Sequence, residues 1–147
     1  MEERVVADRL IEMLRRHEGV RNHVYLDSEG LETIGVGRCI AEGSLGLSDD
    51  EVDYLLANDV KRTIEELSRT FNWYETLDPV RQDVMISLCF NLGLTRLLKF
   101  KKALAGMETS DWETARAEFM DSRWSTQVGQ RAVELTDMLV TGQYLGA

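Results

Sequence analysis

The chain is short of the residues that most often announce a chemistry. Of its 147 residues, two are cysteine, two are histidine and one is proline. Two cysteines cannot build the disulfide framework of a small secreted domain. They also lack the spacing of a zinc site, and His17 and His23 do not supply one. Cys39 and Cys89 each lie among apolar neighbours and read as buried thiols, which fits synthesis in a reducing cytoplasm. So few histidines leave little room for a metalloenzyme or a histidine-based triad, and no metal or organic cofactor is expected. No apolar run approaches the roughly 20 residues that a spanning helix requires, so stable membrane insertion is not expected. The acidic start, Met1-Glu2-Glu3-Arg4, does not read as a secretory signal. Basic residues are scarce too: 17 Lys and Arg stand against 26 Asp and Glu, a formal charge of −9. Phosphate neutralisation needs a Lys/Arg excess, so nucleic acid is ruled out as the main partner.

What remains is a chain with 44% hydrophobic residues. At this length it buries roughly 70% of its unfolded surface and needs no disulfide or metal staple. One proline and repeated capped apolar stripes predict a mostly helical protein. Residues 3–17 carry Val6, Leu10 and Leu14 at helical spacing, with Gly19 as the stop. Between residues 23 and 40, Leu31, Thr33 and Gly35 alternate with Glu32, Ile34 and Val36 after a turn at Asp27-Ser28-Glu29-Gly30, which predicts a small β-hairpin or sheet. Ser48 and Glu51 form a capping box, with Leu47 and Val52 placed for a hydrophobic staple. A long helix follows to about residue 69, with Val52, Leu55, Leu56, Ile64 and Leu67 on one face. Asp78 caps a further helix with Pro79 at its first position, running to Gly93. Later signals predict a helix over 95–105 ended by Gly106, a capping box at Ser110 and Glu113, and a last helix from 130 to Thr141 closed by Gly142.

The informative stretch is residues 17–37. It ends a helix with a carboxylate, Glu18, then places a second carboxylate, Asp27, in a turn, and a hydroxyl, Thr33, on the next strand. Gly35 and Gly37 permit close approach to the backbone. A carboxylate at a helix C-terminus feels the negative end of the macrodipole, which favours the protonated form a general acid needs. Asp27, in a polar turn with backbone donors at hand, is expected to stay charged. Two carboxyl groups in unlike environments are what cleavage of a glycosidic bond requires, one protonating the leaving oxygen and the other stabilising positive charge or activating water. Taken singly, each piece is ordinary: Glu before Gly ends many helices, and Gly35-Val36-Gly37 lacks the third glycine of a dinucleotide fingerprint.

The combination is more specific. Glu18-Gly19, Tyr25, Asp27, Gly30, Thr33, Gly35 and Gly37, at these gaps, closely resemble the T4-type phage lysozymes, glycoside hydrolase family 24. Leu77-Asp78-Pro79-Val80-Arg81, Phe90-Asn91-Leu92-Gly93, Ser122-Arg123-Trp124, Gln127 and Arg131 are similar to that family's later blocks, so the resemblance covers most of the chain. Between Cys39 and Leu47 the chain looks shorter than the best-known members. The resemblance implies an α+β fold, mostly α: a small β-sheet lobe at about 19–48, a linking helix at about 49–69, and a larger helical lobe at 70–147 that also takes in the N-terminal helix. It implies that Glu18 is the catalytic acid, Asp27 the second carboxylate and Thr33 the residue that positions water. The implied activity is hydrolysis of the β-1,4 bond between N-acetylmuramic acid and N-acetylglucosamine in bacterial peptidoglycan, by an inverting route.

Supporting roles follow. The resemblance places Arg131 near Glu18. Glu29 and Arg123 are candidates for an ion pair linking the lobes, and Asn91 and Gln127 for hydrogen bonds to substrate. Arg38, where relatives often carry His, is expected to pair with Asp59. Trp112, Phe119 and Trp124 read as core; Trp73 and Tyr74, in a loop, are the aromatics better placed for exposure, but even they are expected to pack against the helix that starts at Pro79. Lys99, Lys101, Lys102 and Arg96 form a basic patch that reads as a solvated helix face, with contact to the anionic wall as the alternative. The expected setting is a monomer made in the host cytoplasm that reaches the wall after a holin-type membrane lesion. A virion-associated lysozyme and a catalytically silent peptidoglycan-binding module are the competing readings. Peptidoglycan is itself anionic, so at a charge of −9 binding is expected to rest on shape and hydrogen bonds more than on long-range attraction.

Overall fold

The structure, a computed structural model, describes residues 8–145. Its contacts divide the chain into a first unit ending at Leu55 and a second beginning at Leu56. The class is the expected one: mostly helical, with one small antiparallel sheet among the described residues.

The first unit opens with helix α1 (Asp8–Glu18). Residues 3–7 of the expected helix, Val6 included, lie outside the described residues. Gly19 ends α1 at φ +77°, its N–H donating to the Arg15 carbonyl at 2.9 Å. This left-handed stop is the one glycine allows at least cost. Strands β1 (Arg21–Leu26), β2 (Glu32–Gly35) and β3 (Arg38–Cys39) then form a sheet in that order. Arg21 pairs with Gly35 and Tyr25 with Thr33, with an irregularity between them; Thr33 pairs onward with Cys39 and Ile34 with Arg38. The first strand begins two residues before the alternation predicts it.

Helix α2 (Asp49–Thr70) starts as predicted. Ser48 N–H donates to Glu51 Oε1 at 2.9 Å, and Glu51 N–H reaches back to Ser48 Oγ at 3.4 Å. The apolar stripe along α2 is less buried than its periodicity suggests. Leu47, Val52, Leu55 and Leu56 are each about half exposed, and Leu67 alone among the stripe residues is fully buried.

The hydrophobic core lies in the second unit. Asp78 caps α3 (Pro79–Leu92), accepting from the Arg81 N–H at 3.2 Å, and Gly93 ends it. The predicted helix over 95–105 is two helices, α4 (Leu94–Leu97) and α5 (Lys101–Glu108). Gly106 does not stop α5. It lies inside it, because α6 (Trp112–Met120) passes so close that a Cβ at 106 would stand 3.0 Å from Ala115 N and from the Asp111 carbonyl oxygen. Glycine here serves close packing instead of termination. The α6 cap also falls one residue later than predicted. Ser110 takes the left-handed turn leaving α5, at φ 59°, and Asp111 accepts from the Thr114 N–H at 3.3 Å and from its hydroxyl at 2.6 Å. Helix α7 (Arg123–Val128) goes unpredicted. Six residues are too few to show a period, although Ser122 Oγ caps it at Ser125 N–H in the ordinary way. Helix α8 (Gln130–Thr141) ends at Gly142 as expected.

Phe119 and Trp124 are buried as expected, while Trp112 is half-buried. Tyr74 is 2% exposed, and Trp73 packs partly buried against the same core, so neither loop aromatic is free. Cys89 is a buried free thiol whose pKa burial raises; Cys39 is free and half-buried.

Arg81 ties three helices of this unit together. Its Nε donates to the Leu139 carbonyl at 2.7 Å and its Nη2 to the Val140 carbonyl at 3.0 Å, at the end of α8. Its Nη1 meets Asp78 Oδ1 at 3.0 Å, and its guanidinium lies 4.0 Å over the Trp112 ring of α6. Burial pushes Asp78 upward, but the hydrogen bonds from the Arg81 side chain and backbone outweigh it and hold the carboxyl below its ordinary range.

Candidate active site

Glu18, Asp27 and Thr33 all belong to the first unit, and the strand register places them. Because Arg21 pairs with Gly35, the chain entering β1 runs beside the chain leaving β2. That brings the end of α1 against the β2–β3 turn. A Cβ built on Gly37 would stand 3.0 Å from Glu18 Oε2 and 3.4 Å from Glu18 Cδ. Glu18 is exposed, and within the first unit its carboxyl has no hydrogen bond among the described residues.

Asp27 stands at the other end of the β1–β2 hairpin and is tightly held. Its Oδ1 accepts from the Glu29 and Leu31 N–H groups, each at 2.8 Å. Its backbone N–H donates to the Leu31 carbonyl at 2.9 Å, and its carbonyl accepts from Gly30 at 3.0 Å. One carboxylate oxygen is thereby committed to the turn, while Oδ2 has no partner among the described residues. Glu29 enters this arrangement through its backbone; its side chain is exposed.

Thr33 is central in the sheet and 3% exposed. Its Oγ1 donates to the Leu31 carbonyl at 2.8 Å. A hydroxyl has a single proton to give, so the lone pairs of Oγ1 remain able to accept. Tyr25 and Cys39, its cross-strand partners, flank it on the same face. The Arg21 guanidinium lies 5.3 Å over the Tyr25 ring.

Arg38 does not pair with Asp59. Its Nη1 donates to Glu51 Oε1 at 2.7 Å and to the Gly46 carbonyl at 3.0 Å, while Asp59 takes Arg62 at 3.0 Å, one turn away on its own helix. The reason is local. Glu51 is already turned toward the β3 side by the Ser48 capping box, so the nearest carboxylate is the cap's own. Sequence reading missed this ion pair, although the capping-box glutamate was legible as a fixed charge. Hydrogen bonds from the Arg38 side chain, and then from Ser48 N–H and Oγ, lower the Glu51 pKa from 4.5 to about 2. A carboxyl depressed in the folded state stabilises fully above its unfolded pKa and loses that contribution as pH falls through the folded one. The gap in Tm between the native chain and Glu51→Gln should therefore be widest above pH 4.5 and close as the pH falls toward 2. A pH-independent gap in thermal melts would contradict the pairing.

The remaining candidates lie in the second unit. Asn91, in the last turn of α3, is half-buried, and its Oδ1 accepts from Trp124 Nε1 at 2.6 Å, so it anchors a core tryptophan. Its amide N–H groups are left for other partners. Arg123 opens α7, Gln127 lies on the same short helix and Arg131 is the second residue of α8; all three are exposed. Arg131 borders a cavity of about 310 Å³ with Val60, Asp83, Ile86, Ser87 and Phe90. Lys99, Lys101 and Lys102 line another, of about 380 Å³, together with Phe100 and the acidic Glu118 and Asp121. Among the described residues, no group of His, Cys, Asp and Glu is placed to hold a metal ion.

The chain is similar to known proteins over most of its length. The family described as phage lysozyme matches residues 15–138, a span that includes Glu18, Asp27, Thr33, Asn91 and Arg131. A Dictyostelium discoideum protein named "Probable T4-type lysozyme 2" is 29% identical over an aligned length of 160, covering 90% of this chain and 94% of that relative. "Probable T4-type lysozyme 1" of the same organism is 26% identical over 158, covering 89% and 93%. The pre-baseplate central spike protein Gp5 of Enterobacteria phage T4 is 30% identical over 159, covering 90% of this chain and 28% of the spike protein.

Proposed function

Since the chain belongs to the phage lysozyme family, we propose that it cleaves the β-1,4 bond between N-acetylmuramic acid and N-acetylglucosamine of bacterial peptidoglycan, with Glu18 as general acid and Asp27 and Thr33 in charge of the attacking water. The enzyme is a lysozyme, a glycoside hydrolase, so the catalytically silent alternative falls away.

The observation that carries the assignment is the contrast between the two carboxyl groups. Asp27 Oδ1 is spent on two backbone N–H groups at 2.8 Å, which fixes the direction of Oδ2. Glu18 is exposed at a helix end, with no hydrogen bond to its carboxyl within the first unit among the described residues. The fixed, charge-stabilised group suits a base that must hold water in one place, and the exposed group without backbone donors suits an acid that gives its proton to a leaving oxygen. In the proposed reaction Glu18 protonates the glycosidic oxygen as the C1–O bond breaks. Water, accepted by Thr33 Oγ1 and Asp27 Oδ2, adds to C1 from the opposite face and gives its proton to Asp27. The products are two shorter glycans, one with a new reducing end of inverted configuration. Asn91, Gln127, Arg123 and Arg131 are proposed to contact substrate or support the acid.

Product analysis tests reaction and bond together. Digested peptidoglycan should release muropeptides with reducing N-acetylmuramic acid ends and no 1,6-anhydro ends, the new anomer appearing first as the inverted form. Anhydro products, or reducing N-acetylglucosamine, would overturn the proposed cleavage.

No helix among the described residues is long and apolar enough to cross a membrane. The proposed setting is a monomer in the host cytoplasm that reaches the wall through a holin-type lesion. Similarity to part of a phage spike protein supports a second setting, in which the same chemistry opens the wall during infection.

A further inference from the structure

We infer that Gly37 is a positioning residue for catalysis, its bare Cα forming the seat on which the Glu18 carboxyl rests; the inference rests on the reading of Glu18 as the acid. Six glycines of the first unit have positive φ: Gly19, Gly30, Gly35, Gly37, Gly43 and Gly46. That conformation explains a glycine at each. It does not explain what is particular to Gly37. A Cβ at the other five would meet nothing within 4 Å, whereas at Gly37 it would press on Glu18 Oε2 at 3.0 Å, Cδ at 3.4 Å and Cγ at 3.6 Å.

One partner in such a contact has to yield, and the surroundings decide which. The backbone at 37 is held from both sides. Gly35 is paired to β1, and Arg38 is paired to Ile34 and clamped by the Gly46 carbonyl and Glu51. The Glu18 carboxyl is the far end of a flexible side chain with no hydrogen bond within the first unit among the described residues to hold it. A side chain at 37 therefore shifts the carboxyl by a few tenths of an ångström and leaves the sheet in place. An acid must meet the leaving oxygen within hydrogen-bond reach, so a shift of its carboxyl lowers the rate of proton transfer.

The test compares Gly37→Ala with Gly43→Ala. Both place alanine at a similar positive φ, +74° and +81°, and only the first touches Glu18. Both should lower Tm by similar amounts. Gly37→Ala should reduce kcat severalfold with KM within twofold. Gly43→Ala should leave both unchanged. A Gly37→Ala kcat within twofold of that of Gly43→Ala overturns the inference, as does a loss carried by KM instead of kcat. Asparagine tolerates left-handed backbone better than alanine, so Gly37→Asn against Gly43→Asn repeats the comparison should the alanine variant not fold. Glu18→Gln is assayed in parallel. If it is inactive while Gly37→Ala is fully active, the seat alone is wrong; if Glu18→Gln is itself active, the acid assignment fails and the seat with it.

Discussion

Glu18→Gln is expected to lower turnover about 10²- to 10⁴-fold, the range a single general acid contributes. Glutamine keeps the shape of the side chain and its place on Gly37, but it has no acidic proton for the departing glycosidic oxygen. Stability should hardly change, because the carboxyl is exposed and hydrogen-bonded to nothing within the first unit among the described residues. Clearing of outer-membrane-permeabilised cells, read beside a thermal melt, separates the two effects. Lost clearing at unchanged Tm fits the acid; equal clearing by both proteins removes Glu18 from the mechanism.

The largest effect on stability is expected at Arg81. Arg81→Met keeps much of the aliphatic stem but strips the fork that holds two α8 carbonyls, the Asp78 carboxylate and the Trp112 face. The guanidinium side chain is 14% exposed, so solvent does not readily replace these partners. Hydrogen bonds to a charged donor contribute about 1.5–3 kcal/mol each, and unsatisfied acceptors add to the loss. Because the bonds share one side chain they do not add, and a total of about 3 kcal/mol is expected. For a chain of this length that corresponds to a Tm lower by roughly 6–12 °C. Arg81→Lys should recover little, since an ammonium cannot form the fork or stack on the ring. A Tm within about 2 °C of the native chain for Arg81→Met would show that the guanidinium is dispensable. Activity per folded molecule should be retained, because Arg81 serves the helices of the second unit.

Much of this was legible in one dimension. The box at Ser48 and Glu51, the cap at Asp78 with Pro79, and the stops at Gly19, Gly93 and Gly142 all depend on residues within four positions of one another. Backbone hydrogen bonding at a helix end is a local problem, so the local string determines it. The same holds for Asp27: the donors that fix it, Glu29 and Leu31, follow within four residues. Glu18, Asp27 and Thr33 were legible for a related reason, since their gaps along the chain carry the resemblance to the phage lysozymes.

What the string left open were meetings of distant or competing residues. Gly106 looks like a terminator, yet α6 presses so close to α5 that only a glycine fits there, and packing overrode the stop signal. Ser110 and Asp111 both suit a cap, and the geometry of the turn leaving α5 chose the second. Arg38 was expected to pair with Asp59; the Ser48 box turned Glu51 toward it instead. The periodicity of α2 marked an apolar face but not which of its residues would be covered. Residue types and their gaps thus determined most of the elements, because helix ends and turns follow from bonds made nearby in sequence, and they carried the resemblance to the phage lysozymes. Tertiary structure alone decided that Glu18 rests on Gly37, because that contact exists only once β1 and β2 are paired in register.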